Sequence, residues 1–282
     1  MKTFTLLLAL TIALTSKGCS ASNDVPVEQT IKFQSDDATL EGTLNLPGNS
    51  GKYPLAVFIH GSGMSTRSDY SEYVTPFLNK GIAVFRYDKR GVGASGGTYT
   101  DVGPMNSERM FNRLASDAVA AIRHLKNDKR IDGNKIILIG GSQAGWIIPE
   151  ANTMINPWLL VCISGPSVTV GEEIYYSDLA ERGAYSQEYA DSVLKEFKGL
   201  KGFDPISRIE KMKAPSLWLF GGKDVSIPVK RTIYLLDSVK TTKHLPLEMK
   251  LYPDADHGLF NTTTRTREHC VTYIAEWIEK HK

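Results

Sequence analysis

Three side chains that together could carry out acyl transfer occur in the order serine, aspartate, histidine. Ser142 directly follows the run "KIILIGG", Asp224 follows "SLWLFGGK", and His257 follows "LEMKLYPDAD". A serine hydroxyl becomes a useful nucleophile when a histidine removes its proton and a carboxylate orients that histidine. The three residues therefore raise the hypothesis of a covalent serine mechanism, provided that the fold brings them together.

The segment around Ser142, "GGSQAGW", differs by one residue from the G-x-S-x-G pattern of a nucleophile elbow. Ala144 stands where the pattern has its second glycine. This position must be small, but alanine satisfies that need if the backbone there does not require a positive φ. The competing interpretation is a serine that caps the following helix, as many strand-to-helix turns have. The motif alone leaves both interpretations open.

A general base on a loop can reach the serine while it donates its other ring N–H to a carboxylate, and His257 fits this description. Asp224 is favoured as that carboxylate, although taken alone it resembles an ordinary turn aspartate. Asp254 and Asp256 are the alternatives, but each is too near to His257 in sequence to hold the ring easily from behind.

The run "PLAVFIHGSG" ends in a glycine-rich turn at residues 60–63. Acyl transfer needs backbone N–H donors aimed at the developing oxyanion, and glycines let the backbone approach closely. We expect the N–H groups of Ser62 and Gln143 to be these donors. His60 is a second candidate base. Because it precedes both the glycine turn and the serine, a structural hydrogen-bonding role is favoured for it.

The elements around these residues predict an α/β fold. Short apolar strands alternate with amphipathic helices, which is typical of a mainly parallel sheet covered on both faces. The segment "QTIKFQSDDATLEGTLNLP" predicts an antiparallel hairpin at one edge, and residues 171–213, which lack a strand pattern, predict a small helical cap. In such sheets ligands bind at the carboxyl ends of the strands. One long helix is predicted to start at a Ser107 cap and to bury Met110, Leu114, Ala118, Ala121, Ile122 and Leu125.

The order Ser, Asp, His after an earlier H-G-x-G resembles the α/β-hydrolase superfamily, from about Thr30 to the C-terminus. Within it, "HGSG", "RYDKRGVGASGG", "GGSQAGW", "DPISRIEKMKAPSLWLFGGKD" and "DADHGLF" are similar to bacterial exported esterases and serine-aminopeptidase-like enzymes. The resemblance implies a single α/β-hydrolase domain over residues 24–282. It also implies a Ser142–His257–Asp224 triad, an oxyanion hole from Ser62 and Gln143, and bordering residues His60, Gly61, Asp88, Arg90 and Trp146, with a local Asp88–Arg90 ion pair.

The function predicted from these residues is hydrolysis of carboxylic esters, with a small acyl ester as the partner molecule. A serine aminopeptidase is an alternative, in which Glu172, Glu173 or Asp178 would hold the ammonium group of the substrate. A thioesterase is disfavoured by export, and a non-catalytic binding protein would require a missing triad member. No cofactor is expected, because "GVGASG" at residues 91–96 is not followed by a helix start, and no metal-binding motif is present.

Residues 1–18 have an early lysine and a short apolar run, which predict a bacterial export signal. Cleavage is expected at Cys19, which would then carry a lipid, or near Ala21. The protein would then be periplasmic or anchored to the membrane through that lipid. Removing residues 1–18 lowers the basic count from 33 to 31, which equals the acidic count, so nothing favours nucleic-acid binding. Cys162 and Cys270 are predicted to be buried or half-buried thiols, although export would permit a bridge between them.

Overall fold

An eight-stranded sheet runs through the computed structural model, which describes residues 25–183 and 185–282. The predicted export signal, Cys19 and Ala21 lie outside the described residues. The strand order is β1-β2-β4-β3-β5-β6-β7-β8. The strands are β1 (Val27–Ser35), β2 (Ala38–Leu46), β3 (Tyr53–Ile59), β4 (Ala83–Tyr87), β5 (Ile131–Gly141), β6 (Leu159–Ile163), β7 (Ser216–Gly221) and β8 (Leu247–Tyr252).

The sheet is antiparallel only at its first edge. β1 pairs with β2, and β2 with β4, in antiparallel fashion, and the other neighbouring pairs are parallel. β4, β6 and β7 are buried along their whole length, so neither face of the sheet is open to water there. The predicted α/β-hydrolase architecture with its leading hairpin is therefore confirmed.

The helices form two layers because side chains on a strand point alternately to opposite faces. On β5, Ile136 and Leu138 belong to one apolar cluster, while Ile137 and Ile139 belong to the other. α2, α3 and α7 cover the first face, and α1 and α8 cover the second. The helices are α1 (Val74–Asn79), α2 (Ser107–Leu125), α3 (Ala144–Asn152), α4 (Val170–Ala180), α5 (Gln187–Leu194), α6 (Ile206–Ile209), α7 (Val229–Lys243) and α8 (Cys270–Glu279), with a short 3-10 turn at Ser71–Tyr73.

α2 buries the predicted apolar stripe, but it does not begin as predicted. Ser107 is the first helical residue, the capping position falls on Asn106, and no side chain caps this end. The Ser107 hydroxyl instead donates to the carbonyl of Pro104 (3.0 Å) and accepts from the Phe203 N–H (2.9 Å). The predicted Ser107 cap is wrong because a distant backbone donor, which the local sequence does not reveal, uses the hydroxyl.

Three helices, α4, α5 and α6, occupy the insertion between β6 and β7, and its described residues contain no strand. α4 begins with a capping box: the Thr169 hydroxyl accepts from the Glu172 N–H, and the Glu172 carboxylate accepts from the Thr169 N–H. Among residues 25–183 and 185–282, no helix has both the length and the apolar content needed to cross a bilayer.

Cys162 on β6 and Cys270 at the start of α8 are both buried and free, as predicted, so they form no bridge. Burial raises the pKa of the Cys162 thiol, since no partner offsets the cost of a buried thiolate. These thiols are therefore part of the hydrophobic core.

Candidate active site

Ser142, Asp224 and His257 all lie just beyond the carboxyl ends of parallel strands. β5 ends at Gly141, β7 at Gly221 and β8 at Tyr252. Only β6 separates β5 from β7, and β8 lies next to β7. Because parallel strands end at the same edge of a sheet, the fold brings the loops that carry the three residues to one edge.

Asp224 holds the ring of His257. The Asp224 side chain is 0% exposed, and its Oδ2 lies 2.8 Å from His257 Nδ1. Its Oδ1 accepts from the backbone N–H groups of Ser226 (2.8 Å) and Ile227 (3.1 Å), which fixes the carboxylate. Since an ionised carboxylate only accepts, Nδ1 donates, and Nε2 is left to accept a proton.

Asp254 and Asp256, the alternative carboxylate partners of His257, form no hydrogen bond with its ring. Asp256 Oδ1 accepts from the Phe260 N–H at 2.9 Å, and the described contacts of Asp254 are made by its backbone carbonyl. Burial lowers the pKa of His257. The hydrogen bond to Asp224 and the negative charge of Asp224 raise that pKa by more than burial lowers it, so the net pKa lies above its ordinary value. The pair is therefore arranged to stabilise a protonated imidazole.

Ser164, which sequence reasoning missed, anchors the loop of His257. Its hydroxyl donates to the His257 carbonyl at 2.8 Å, and its N–H donates to the Leu219 carbonyl at 2.8 Å. Its backbone is left-handed, with φ 47°. The only available signal was its position directly after the apolar run "LLVCI", at the same strand edge as the candidate triad.

Ser142 occupies a strained turn. Its φ is 53°, in the left-handed region that serine seldom adopts. Its N–H donates to the Ile163 carbonyl (2.9 Å), and its own carbonyl accepts from the Gly145 N–H (2.8 Å). The capping position of α3 is Gln143, without a side-chain capping bond. The helix-cap interpretation of Ser142 therefore does not apply, and the turn has the geometry of an elbow.

Close packing explains which small residues the elbow needs. A Cβ added to Gly145 would lie 2.7 Å from backbone atoms of Gly165, and one added to Gly140 would lie 2.3 Å from the Ile59 carbonyl oxygen. Ala144, by contrast, is fully buried with its methyl group in place. The restrictive position after the serine is Gly145, one residue later than in the usual pattern.

We expect Gly145→Ala to lower the free energy of unfolding by about 1–3 kcal/mol, because the new methyl group must push the Gly165 backbone away. Gly103→Ala is the matched control, since a Cβ there would meet no atom within 4 Å. Thermal denaturation of both variants measures the effect. A Gly145→Ala melting temperature equal to that of the control would contradict this account.

The glycine turn after β3 lies against the elbow. A Cβ on Gly61 would be 3.7 Å from Ser142 Cβ and 3.5 Å from the Gly141 carbonyl oxygen. Ser62 and Gln143, the predicted oxyanion donors, line one common cavity. The two segments that carry these donors are therefore neighbours, as an oxyanion hole requires.

His60 is the first residue of this turn, directly after β3, and it is buried. It is 4% exposed, and its Nε2 lies 2.6 Å from the Tyr87 carbonyl oxygen. Burial lowers the pKa of His60 to about 3, so the ring is neutral near pH 7. This geometry agrees with the structural role favoured from the sequence.

The expected Asp88–Arg90 ion pair is wrong. Asp88 pairs with Arg67, whose guanidinium nitrogens lie 2.7 and 3.1 Å from its two carboxylate oxygens. Arg90 is buried against Asp117 and also pairs with Asp37 at 2.7 Å. Each charge therefore has a partner that is distant in sequence, and these partners replace the local pair.

Lys89, which lies between these two residues, is a site residue that sequence reasoning missed. Its side chain is buried, and its ammonium donates to the carbonyl oxygens of Gly61 and Gly63 and to the side chain of Gln143. A lysine in the run "DKRG" resembles a solvated surface residue. Its position two residues after β4, at the edge where ligands bind, was the only signal for a role in the site.

The predicted bordering residue Trp146 packs in the core. Its indole N–H donates to the Val168 carbonyl at 2.8 Å, and its ring stacks on Phe111 with centroids 5.2 Å apart. Two residues of the cap instead contact the backbone of the candidate triad residue Asp224: Gln187 Nε2 and the Tyr176 hydroxyl lie 2.6 and 3.5 Å from its carbonyl oxygen. α4 and α5 therefore help to hold the aspartate loop.

The chain is similar to known hydrolases. A model described as the prolyl oligopeptidase family matches residues 68–282. Esterase EstD of Thermotoga maritima is 24% identical over 230 residues, which are 70% of this chain and 54% of EstD. The acylamino-acid-releasing enzyme of Mus musculus is 22% identical over 273 residues, 91% of this chain and 35% of that enzyme. The chain thus spans about half, or less, of the length of these relatives.

A solved esterase from Pyrococcus furiosus has a similar fold, with a TM-score of 0.67 and 18% sequence identity. The likeness covers 90% of this chain and 91% of that one. The two chains therefore share their architecture over nearly their whole lengths.

Proposed function

The chain belongs to the prolyl oligopeptidase family, and from this premise we propose that it is a serine hydrolase that cleaves carboxylic esters through an acyl-enzyme on Ser142. The observation that carries the proposal is the 2.8 Å contact between buried Asp224 and His257, at the strand edge where Ser142 stands in a left-handed turn. A capping serine or a solvated histidine would need neither feature.

In the proposed first step, His257 Nε2 takes the Ser142 proton as the serine oxygen attacks the ester carbonyl carbon. Asp224 keeps the ring oriented and stabilises its positive charge. The N–H groups of Ser62 and Gln143 donate to the oxyanion, and removing one such donor typically costs about 2.7–4 kcal/mol of transition-state stabilisation. The C–O bond to the alcohol then breaks, and the alcohol takes the proton from Nε2.

In the proposed second step, hydrolysis of the acyl-enzyme, water is the nucleophile and the Ser142 oxygen is the leaving group. A water molecule gives its proton to Nε2 and attacks the acyl-enzyme carbonyl, so the oxyanion forms again in the same hole. When this intermediate collapses, the bond to Ser142 breaks and the serine oxygen recovers its proton. The carboxylic acid is released.

An ester is the preferred substrate class because the esterase EstD is 24% identical to this chain over 70% of the chain's length. The acylamino-acid-releasing enzyme is 22% identical over 91% of this chain, which keeps a peptide substrate as the alternative.

The aminopeptidase alternative depends on one carboxylate of the cap. Of its three candidates, Glu172 belongs to the capping box of α4, and Asp178 pairs with Arg182 at 2.6 Å. The Glu173 N–H donates to the Thr169 carbonyl at 3.0 Å, but its side-chain carboxylate has no hydrogen bond or ion pair within residues 25–183 and 185–282. The alternative therefore narrows to Glu173.

Glu173 lies on the side of α4 that is turned toward the triad. Tyr176, one turn later, approaches the Asp224 carbonyl oxygen at 3.5 Å. Burial raises the pKa of Glu173 to about 7, the charge of His257 lowers it, and the charges of Glu181 and Asp224 raise it. As an anionic group it would therefore bind a substrate ammonium better above pH 7 than below it.

Turnover of p-nitrophenyl butyrate and of leucine p-nitroanilide separates the two functions. We expect the wild type and Glu173→Gln to hydrolyse the ester and to show little anilide activity, with Asp178→Asn as the control on the same helix. An aminopeptidase would instead prefer the anilide and gain activity as pH rises through 7. Its Glu173→Gln variant would lose about tenfold or more in kcat/KM, since a charged contact is lost.

We also propose that the protein is exported from a bacterial cell by means of residues 1–18. Cleavage at Cys19 would leave a lipid anchor, and cleavage near Ala21 would leave none. This proposal rests on the sequence pattern alone.

A further inference from the structure

Lys89 places a buried positive charge directly behind the proposed oxyanion hole. Lys89 is 3% exposed, and its Nζ lies 2.6 Å from the Gly61 carbonyl oxygen and 2.9 Å from that of Gly63. The third contact is to Gln143 Oε1 at 3.2 Å. All three ammonium hydrogens therefore have acceptors, and each acceptor belongs to the glycine turn or to the elbow.

Lys89 has no carboxylate partner within ion-pair distance in the described part of the chain. Its other neighbours are the Tyr99 ring, with the centroid 6.0 Å from Nζ, and the more distant charges of Asp101 and Asp69. Taking an ammonium out of water without a counter-charge is costly, and stability alone would favour an apolar residue of the same size. The position of Lys89 therefore calls for a functional explanation.

The contact with Gly61 acts on a single peptide group. The Gly61 carbonyl and the Ser62 N–H are the two ends of that group, and Ser62 N–H is a proposed oxyanion donor. A charged donor on the carbonyl oxygen polarises the peptide, and linked hydrogen bonds of this kind strengthen one another. The ammonium of Lys89 thus makes the Ser62 N–H a stronger donor.

The other two contacts fix the geometry of the hole. The Gly63 carbonyl is on the far side of Ser62, so the ammonium holds both flanks of that residue. The contact with the Gln143 side chain ties the residue that carries the second proposed donor to the same ammonium. One cation therefore connects both halves of the oxyanion hole.

We propose that Lys89 is a positioning residue of the oxyanion hole, where it holds both donor segments, polarises the Gly61–Ser62 peptide and has the reaction's oxyanion as its counter-charge. The inference rests on the proposed acyl-enzyme mechanism. Because the oxyanion exists only in the transition state and the tetrahedral intermediate, Lys89 acts on kcat rather than on KM.

Lys89→Met removes the charge and keeps the size of the side chain. We expect its kcat for p-nitrophenyl butyrate to fall by about tenfold to a hundredfold with little change in KM, and its melting temperature not to fall. Arg86→Met is the control, since Arg86 is also buried but donates to the Arg67 carbonyl (2.7 Å) and to Asn45 (3.3 Å). That variant should lose stability and keep the kcat of its folded fraction.

The pH profile of the wild type provides a second readout. Burial lowers the pKa of Lys89 to about 8, whereas Asp101 and Asp69 act to raise it. The pKa of neighbouring His60 is lowered to about 3 and that of Tyr99 raised to about 12, so neither titrates near pH 8. His257 is neutral at high pH, which is the form that acts as the base. The p-nitrophenolate leaving group needs no proton from it, so His257 causes no fall in rate at high pH. We therefore expect kcat to fall above about pH 8.

This alkaline fall should disappear in Lys89→Met and move to higher pH in Lys89→Arg, which keeps the charge. A Lys89→Met variant with lower stability but wild-type kcat would overturn the inference, and so would a wild-type kcat that stays level through pH 8 to 9. Neither result would affect the proposed function, which stands or falls with Ser142.

Discussion

Replacing Ser142 by alanine is expected to lower the kcat for p-nitrophenyl butyrate by about 10⁴-fold or more, because the acyl-enzyme can no longer form. The variant should keep its melting temperature. Alanine fits the left-handed backbone at φ 53° about as well as serine does, and the hydrogen bonds at this turn that hold the residue are made by its backbone. A residual rate above that of water would come from substrate binding and the oxyanion hole.

A fluorophosphonate probe makes this test independent of the chosen ester, since it reacts with an activated serine. We expect the wild type to be labelled once, on Ser142, and Ser142→Ala not to be labelled. Ser238→Ala, at an exposed position on α7, is the control and should be labelled like the wild type. Labelling or near-normal turnover of Ser142→Ala would refute the assignment. A wild type that reacts with no probe would instead favour a non-catalytic binding protein.

The sequence predicts the frame of the fold well because that frame is a repeated pattern. Each buried parallel strand is a short apolar run, as in β6 and β7, and a helix follows most of them. Once these runs are recognised, the residues that come directly after them must share one edge of the sheet. Ser142, Asp224 and His257 can therefore be assigned to that edge without knowledge of any contact.

Contacts between distant segments cannot be predicted in this way. Asp88 and Arg90 are two residues apart, so an ion pair between them is a reasonable expectation, yet Arg67 and Asp117 offer each of them a better-placed partner. Lys89 is harder still, because a buried lysine and a solvated one have the same local sequence. Its role follows only from the packing of the turn after β3 against the end of β4.

The elbow around Ser142 could be predicted only in part. The pattern identifies Ser142, but it assigns the need for glycine to the position that Ala144 occupies. The need arises from the approach of the Gly165 backbone, which comes from the loop after β6 and restricts Gly145 instead. The glycine of the motif thus reflects close packing against a neighbouring loop. In this protein the loop after β6 approaches residue 145 and not residue 144, so the glycine is needed one residue later.

Asp224→Asn is expected to lower kcat by about 10⁴-fold while leaving the fold intact. The amide oxygen can still accept from the N–H groups of Ser226 and Ile227, so the side chain keeps its place. Its NH₂ group then faces His257 Nδ1 and donates to it, which puts the ring proton on Nε2. In that tautomer His257 cannot accept the proton of Ser142, and the positive charge that forms on the ring loses its partner.

The acid limb of the pH profile separates this effect from a general loss of structure. His257 works as a base only when neutral, so activity falls as pH drops through its pKa, which Asp224 raises above the ordinary 6.5. In Asp224→Asn the limb should move to lower pH, because burial still lowers the pKa of His257 while the charge that raised it is gone. Asp256→Asn is the control: its Oδ1 bonds to the Phe260 N–H and not to the ring, so both kcat and the limb should stay in place. If the control variant lost activity and Asp224→Asn kept it, Asp256 would be the residue that orients the base.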